Sequence, residues 1–290
     1  MLQSMTGFGK ATANFKNKKI TVEIKSLNSK NLDLFVRIPH IYKSKEIELR
    51  KLIGDQLDRG KVECIINIES NGEKSNTVIN KAVVANYYEQ LTAIKSALNL
   101  KDDNLLEIIT KMPDVFSTAE EEVDEGEWQA LYDLTKIALV NLVDFRLQEG
   151  KLLADEFSMR ISNIESSFNA VPNFEAARID GIKERIESNL EEFVGLAKVD
   201  KNRFEQELIY YIEKIDIAEE KLRLNGHLNY FREILAEPKS QGKKLGFIVQ
   251  EIGREINTLG SKSYHAEMQK LVVEMKDELE KIKEQILNTL

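Results

Sequence analysis

Asp216, Glu219, Glu220, Arg223 and His227 recur at spacings of three and four, which on a helix sets them along one face. Carboxylates, a guanidinium and an imidazole on one strip could hold a hard metal ion, seat a phosphate and carry a proton. The same spacing also builds a solvated salt-bridge ladder. A second cluster runs from Gln250 to Lys262. Glu251, Glu255 and Thr258 share one helical face there, and Gln250, Arg254, Asn257 and Ser261 share the adjoining one. Such a density of amides, hydroxyls and charges suits a surface turned to a phosphate backbone or to metal-bound water. A helix C-terminus and turn would equally account for residues 257–262. Glu267, Glu274 and Glu284 read as outward-facing positions.

Other chemistries find no support. Cys64 is the only cysteine, so neither an intrachain disulfide nor a cysteine-built zinc site can form. Gly7-Phe8-Gly9 lacks the spacing and the following helix of a dinucleotide loop. There is no zincin-type histidine pair and no nucleophile elbow, and His40, behind Pro39, reads as structural or exposed. The start of the chain lacks the basic and apolar regions of a signal peptide, and no apolar run is long enough to span a bilayer. A soluble cytoplasmic protein is expected. The net charge of −8 is unevenly spread. Residues 1–65 hold 13 Lys/Arg and 7 Asp/Glu, a net of +6, against 28 and 42, a net of −14, in the remaining 225. A basic head on an acidic body could present one phosphate-facing surface, although ordinary scatter of surface charge gives the same asymmetry.

The elements that must position these residues fall into two kinds. Lys19 to Leu27 alternates with Ile20, Val22 and Ile24 on one face, and Leu32, Leu34, Val36 and Ile38 repeat the pattern. The two runs read as a hairpin. A helix capped by Ser44 carries Ile47, Leu49, Leu52, Ile53 and Leu57, and Val62 to Ile68 alternates as another strand. With a first strand within 5–15 the order is β-β-β-α-β. From about residue 81 the pattern is helical. Ile179 to Ala197 forms one apolar stripe, and Phe204 to Leu222 a second that shifts near Asn225-Gly226, where a kink or a change of packing partner is expected. Met268 to Ile286 is close to a heptad. Breaks fall at 171–173 and 238–242, and Trp128 and Tyr132 are assigned to the helical part. The fold expected is α+β: a mostly antiparallel sheet domain (1–80), a region of long antiparallel helical arms (81–200) and a helical C-terminal domain with the polar faces (201–290). The long stripes need cover, either within the chain or from other copies of it.

Ser4-Met5-Thr6-Gly7-Phe8-Gly9-Lys10, Glu23 through Asp33, Arg59-Gly60-Lys61-Val62-Glu63-Cys64 and the run from Gly242 to Lys276 resemble, in order, the blocks of the YicC/YloC family of bacterial endoribonucleases. Lys10 and Lys25 stand where arginine is common in that family, and Gly253 where a larger polar residue often sits. The resemblance implies a metal-dependent endoribonuclease acting on single-stranded or structured RNA. It further implies a ring-like homo-oligomer, expected as a hexamer. With that chemistry in view, Glu219, Glu220 and Glu251 are the candidate ligands of a Mn²⁺ or Mg²⁺ ion. His227, Arg223, Arg254 and Glu255 are the candidate catalytic residues. Lys10, Lys25, Lys30, Arg37, Arg50, Lys61 and Lys262 are the candidate RNA contacts. A non-catalytic RNA-binding adaptor or a helical scaffold remains the alternative reading.

Overall fold

The computed structural model describes residues 2–70, 77–99, 104–118, 123–194 and 201–290. Period-two runs become the strands β1 (Gly7–Phe15), β2 (Lys18–Leu27), β3 (Leu32–Arg37) and β4 (Gly60–Ser70) of one sheet, in the order β1-β2-β4-β3. Both β1–β2 and β2–β4 are antiparallel, whereas β3 runs parallel to β4. The expected hairpin between the runs at 19–27 and 32–38 is therefore not formed, because β4 lies between them. Val62, Cys64 and Ile66 of β4 are almost wholly buried and suit a central strand. β3 alternates half-buried Leu32 and Leu34 and buried Val36 with exposed Asp33, Phe35 and Arg37, as an edge strand can. A 3-10 turn at His40–Lys45 and helix α1 (Glu46–Gln56) supply the crossover that parallel pairing requires. Lys45, not Ser44, precedes α1, and no side chain caps it.

Helix α4 (Glu125–Ala170) joins the two halves of the molecule. Its 46 residues extend roughly 70 Å at 1.5 Å per residue. Trp128, Leu131, Leu134, Ala138, Leu139 and Leu142 in its first half pack with α1 on the inner face of the sheet. Trp128 thus belongs to the sheet core, stacked at 6.0 Å on Tyr42, rather than to the helical core. Gly9 permits this docking: a Cβ there would collide with the Ala138 carbonyl and the Leu142 backbone. Gly60, at φ +125°, begins β4 in a conformation that L side chains rarely adopt.

The second half of α4 packs with α7 (Ala218–Ala236), α8 (Gly242–Lys262) and α9 (Ala266–Ile286). Phe157, Ile161, Phe231, Ile252, Met275 and Leu279 are among the residues of this core. The break at 171–173 is a 3-10 turn before α5 (Glu175–Val194), and that at 238–242 separates α7 from α8. The helix runs unbroken through Asn225-Gly226. The stripe shifts because α6 (Lys201–Lys214) ends and α7 begins at Ala218, so Asp216 lies on the link and not on the helical face expected for it. The region from residue 81 is not wholly helical either: β5 (Thr77–Ile79) pairs with β6 (Phe116–Thr118) beside α2 (Lys81–Leu98) and α3 (Leu105–Thr110). The boundary expected after residue 80 meets Asn80, the cap of α2. The boundary at 200 and the end of the 179–197 stripe lie outside the described residues. No described helix is long and apolar enough to cross a membrane.

Candidate active site

The two polar clusters of the sequence meet across one helical hairpin. α7 and α8 pack through Leu224, Leu228, Phe231, Ile248 and Ile252, and this pairing turns His227 of α7 toward Glu251 and Glu255, one turn apart on α8. Ligand atoms from these three residues lie within 4.8 Å of one another. Donors bound about 2.0–2.2 Å from an ion stand roughly 3–4 Å apart, so modest side-chain rotations would close the set on a cation. Glu255 is only 4% exposed. Among the described residues it has no ion pair and no hydrogen bond. Its carboxylate is thus left without a protein partner beside a second carboxylate and an imidazole, where a bound cation would compensate the two like charges. Glu251 is exposed, and its carboxylate lies 3.9 Å from the Arg254 guanidinium.

Glu219 and Glu220 do not join this group. Glu219 is exposed and paired with Arg223 on its own helix. Glu220 is buried, and its carboxylate accepts a hydrogen bond from Lys262 Nζ at 2.8 Å. Lys262 also donates to the Asp216 carbonyl at 2.8 Å. This pair pins the start of α7 to the end of α8, so two of the expected metal ligands belong to an ion-pair arrangement. Arg223, one turn before His227, and Arg254, next to Glu255, are both exposed, each in an ion pair on its own helix.

The candidate RNA contacts of the head sort by strand register. Lys10, Lys25, Arg37 and Lys61 all point to the sheet face that α1 and α4 leave uncovered. Phe8, Lys25, Glu63 and Phe35 form one row across the four strands, and Lys10, Glu23, Ile65 and Arg37 another. Phe8 and Phe35 are 39% and 56% exposed, so two aromatic rings stand among these cations. Lys10 is paired to Glu23 at 2.8 Å, which holds the Glu23 carboxyl below its usual range. Lys30 lies in the loop before β3, exposed. Arg50 is on α1, held by Glu46 at 2.7 Å and donating to the Leu34 carbonyl at 2.7 Å, away from the open face. Cys64 is buried within the sheet, and burial pushes its thiol up to about 12, so it is a core side chain and no nucleophile.

Sequence reasoning assigned no role to Arg185, Tyr211, Lys214 and Tyr264. They line a cleft of about 370 Å³ together with Ile182, Ile215, Ser261 and Lys262, at the C-terminal end of α8. They come from three separate segments, and no spacing in the sequence links them.

A sheet backed by helices, joined through a long shared helix to a helical layer, defines an α+β protein in which two glutamates and a histidine that could hold a metal ion meet on a helical hairpin. Family comparison agrees with this architecture. The N-terminal region of the YicC-like endoribonuclease family matches residues 2–155, and its C-terminal region matches residues 171–289. The chain belongs to the YicC-like family. It is 32% identical over 291 residues to a probable endoribonuclease YicC of Clostridioides difficile, covering 99% of each chain. It is 30% identical over 289 residues to one of Haemophilus influenzae, again covering 99% of each.

Proposed function

We propose that this protein is an endoribonuclease whose reaction centre is formed by His227, Glu251 and Glu255 holding a divalent cation. Buried Glu255, without a protein cation and facing two further ligand groups, carries the reading; the family membership supplies the class of reaction. An imidazole beside two carboxylates favours Mn²⁺ over Mg²⁺, which prefers an all-oxygen shell. Such an ion supplies charge stabilisation at the phosphoryl oxygens and a water of lowered pKa. Arg254 and Arg223, exposed on either side, seat the phosphate. The open sheet face, with Lys25, Arg37, Lys61 and two phenylalanines, offers a second surface to the RNA backbone and bases. The protein works as a homo-oligomer, expected as a ring of six, because α2 has no buried residue among those described and must be covered by another copy.

Chelation tests this reading. Cleavage of a labelled RNA stops in EDTA and returns with Mn²⁺. Thermal stability gives an independent readout: Mn²⁺ raises the Tm of the wild-type protein by mass action and leaves Glu255→Gln unmoved. Without metal, Glu255→Gln is at least as stable as the wild type, because it removes one of two neighbouring like charges. Undiminished cleavage in chelator, or an equal Mn²⁺ response in both proteins, would remove the ion from the site.

A further inference from the structure

The cleft at the C-terminal end of α8 is built from three elements tied together from below. Arg178 of α5 is 4% exposed, and its Nη1 donates to the carbonyls of Ile215 at 3.2 Å and Lys262 at 3.3 Å. One buried guanidinium thus joins α5, the end of α6 and the end of α8. Above it, Arg185 stands over the Tyr264 ring at 5.6 Å, and Tyr211 and Lys214 face them from α6. Tyr211 and Tyr264 are 41% and 55% exposed. The lining holds three cations and no carboxylate. Arg185 and Lys214 have no ion pair among the described residues, whereas Lys262 is already held by Glu220.

The cleft also lies at the end of a continuous path. Phe247, Gln250, Arg254, Asn257 and Ser261 are all exposed and follow one another at spacings of three and four, a single stripe along α8 without a carboxylate. Glu251 and Glu255 border that stripe at its middle. From Glu255 to Lys262 the helix rises roughly 10 Å. A stacked strand advances about 3.4 Å per nucleotide, so the same distance spans about three nucleotides.

We infer that this cleft is a nucleotide subsite for single-stranded RNA, about three nucleotides along the strand from the bond cut at His227, Glu251 and Glu255. Arg185 and Lys214 take a phosphate, and Tyr264, with Tyr211 opposite, stacks on the base. Unpaired cations beside exposed aromatic rings are the combination that single-stranded nucleic acid selects, through backbone charge and base stacking. The cleft volume of about 370 Å³ falls in the range of small-ligand pockets, enough for one nucleotide unit. The assignment rests on the ribonuclease reading for its orientation toward the reaction centre, but binding can be measured without cleavage.

The test is an anisotropy titration with a labelled twelve-nucleotide 2′-O-methyl strand in chelator, where neither the 2′-hydroxyl nor a metal can act. Arg185→Ala with Lys214→Ala weakens binding roughly ten-fold and flattens the slope of log K against log salt by about 0.7, the share of the one single-strand phosphate they hold. Tyr264→Ala weakens it roughly five-fold or more, while Tyr264→Phe, which keeps the ring, binds as the wild type does. Exchange of both cations (Arg185→Lys with Lys214→Arg) preserves the salt slope. Unchanged affinity in the double alanine variant overturns the subsite, as does failure of the wild type to bind the strand. Equal loss in Tyr264→Phe and Tyr264→Ala overturns base stacking. A wild-type protein that binds as described yet cuts no RNA under any metal would refute the ribonuclease reading and leave the subsite standing.

Discussion

Glu220 and Glu255 are both buried carboxylates on the facing helices α7 and α8, and their partners separate their roles. Glu220 is paired with Lys262, so its charge is compensated within the chain. Glu255 faces Glu251 and His227 and has no such cation among the described residues. The two positions therefore answer differently to substitution. His227→Ala is expected to lower cleavage by roughly 10²-fold or more with RNA binding nearly intact. Glu219→Ala, which removes only an exposed intrahelical ion pair, leaves cleavage within about two-fold. Steady-state kinetics on one RNA substrate checks both, and an unimpaired His227→Ala enzyme would make this histidine structural. The metal-water route leaves a 3′-hydroxyl and a 5′-phosphate. A 2′,3′-cyclic end would show attack by the 2′-hydroxyl instead. Helical spacing made all of these residues visible in the sequence, because spacing reports a face. It could not report which face meets which. Glu219 and Glu220 are adjacent in the chain yet point apart, and Glu251 and Glu255 acquire His227 only through the packing of α7 on α8.

Elements were legible where one period governs a whole segment. The strands of the head and the apolar side of α9 follow their patterns closely, since burial of one face selects those residues, whereas the polar residues of α8 masked the apolar face that it buries. Pairing was not legible. The four residues linking β2 and β3 resemble a hairpin turn, but β4 is the more apolar strand and occupies the position between them. The α4–α9 seam shows the same dependence on long-range contact. Burial raises the Glu278 carboxyl, but hydrogen bonds from Lys281 at 2.8 Å, Asn163 at 2.9 Å and Arg160 at 3.2 Å outweigh that and hold it at about 2, below the ordinary 4.5. A depressed carboxylate stabilises the fold fully above its unfolded pKa and less as pH falls through the folded one. The stability contributed at this seam is accordingly present at neutral pH and lost between about pH 4.5 and about pH 2. Denaturant melts across that window should show a shallower acid decline for Glu278→Gln than for the wild type. Identical slopes would mean that the cluster does not couple α4 to α9.

At the scale of the molecule, the apolar surface that calls for a partner is not where periodicity placed it. The stripe of α9, from Met268 to Ile286, is consumed inside the chain by α4 and α8, so it argues for no oligomer. The uncovered surface lies on α2, none of whose 18 residues is buried among those described. Ile94 and Leu98, one turn apart on this helix, are 51% and 64% exposed, and Leu106 on the neighbouring α3 is 68% exposed. Val83, Val84, Tyr87 and Leu91 are only half-buried, so the helix gains little from the tertiary packing on which helices in proteins depend. Repeating one such surface around a closed ring would cover it in every copy at once. Light scattering at micromolar concentration should therefore give a mass several times 33.2 kDa. Ile94→Lys combined with Leu98→Lys should reduce that mass toward the monomer while circular dichroism retains the helical signal, because both side chains are more than half exposed within their own chain. A wild-type mass of one chain would defeat the assembly. A ring that persists in the double variant would move its interface away from α2, leaving the open sheet face with Phe8 and Phe35 as the surface to test next.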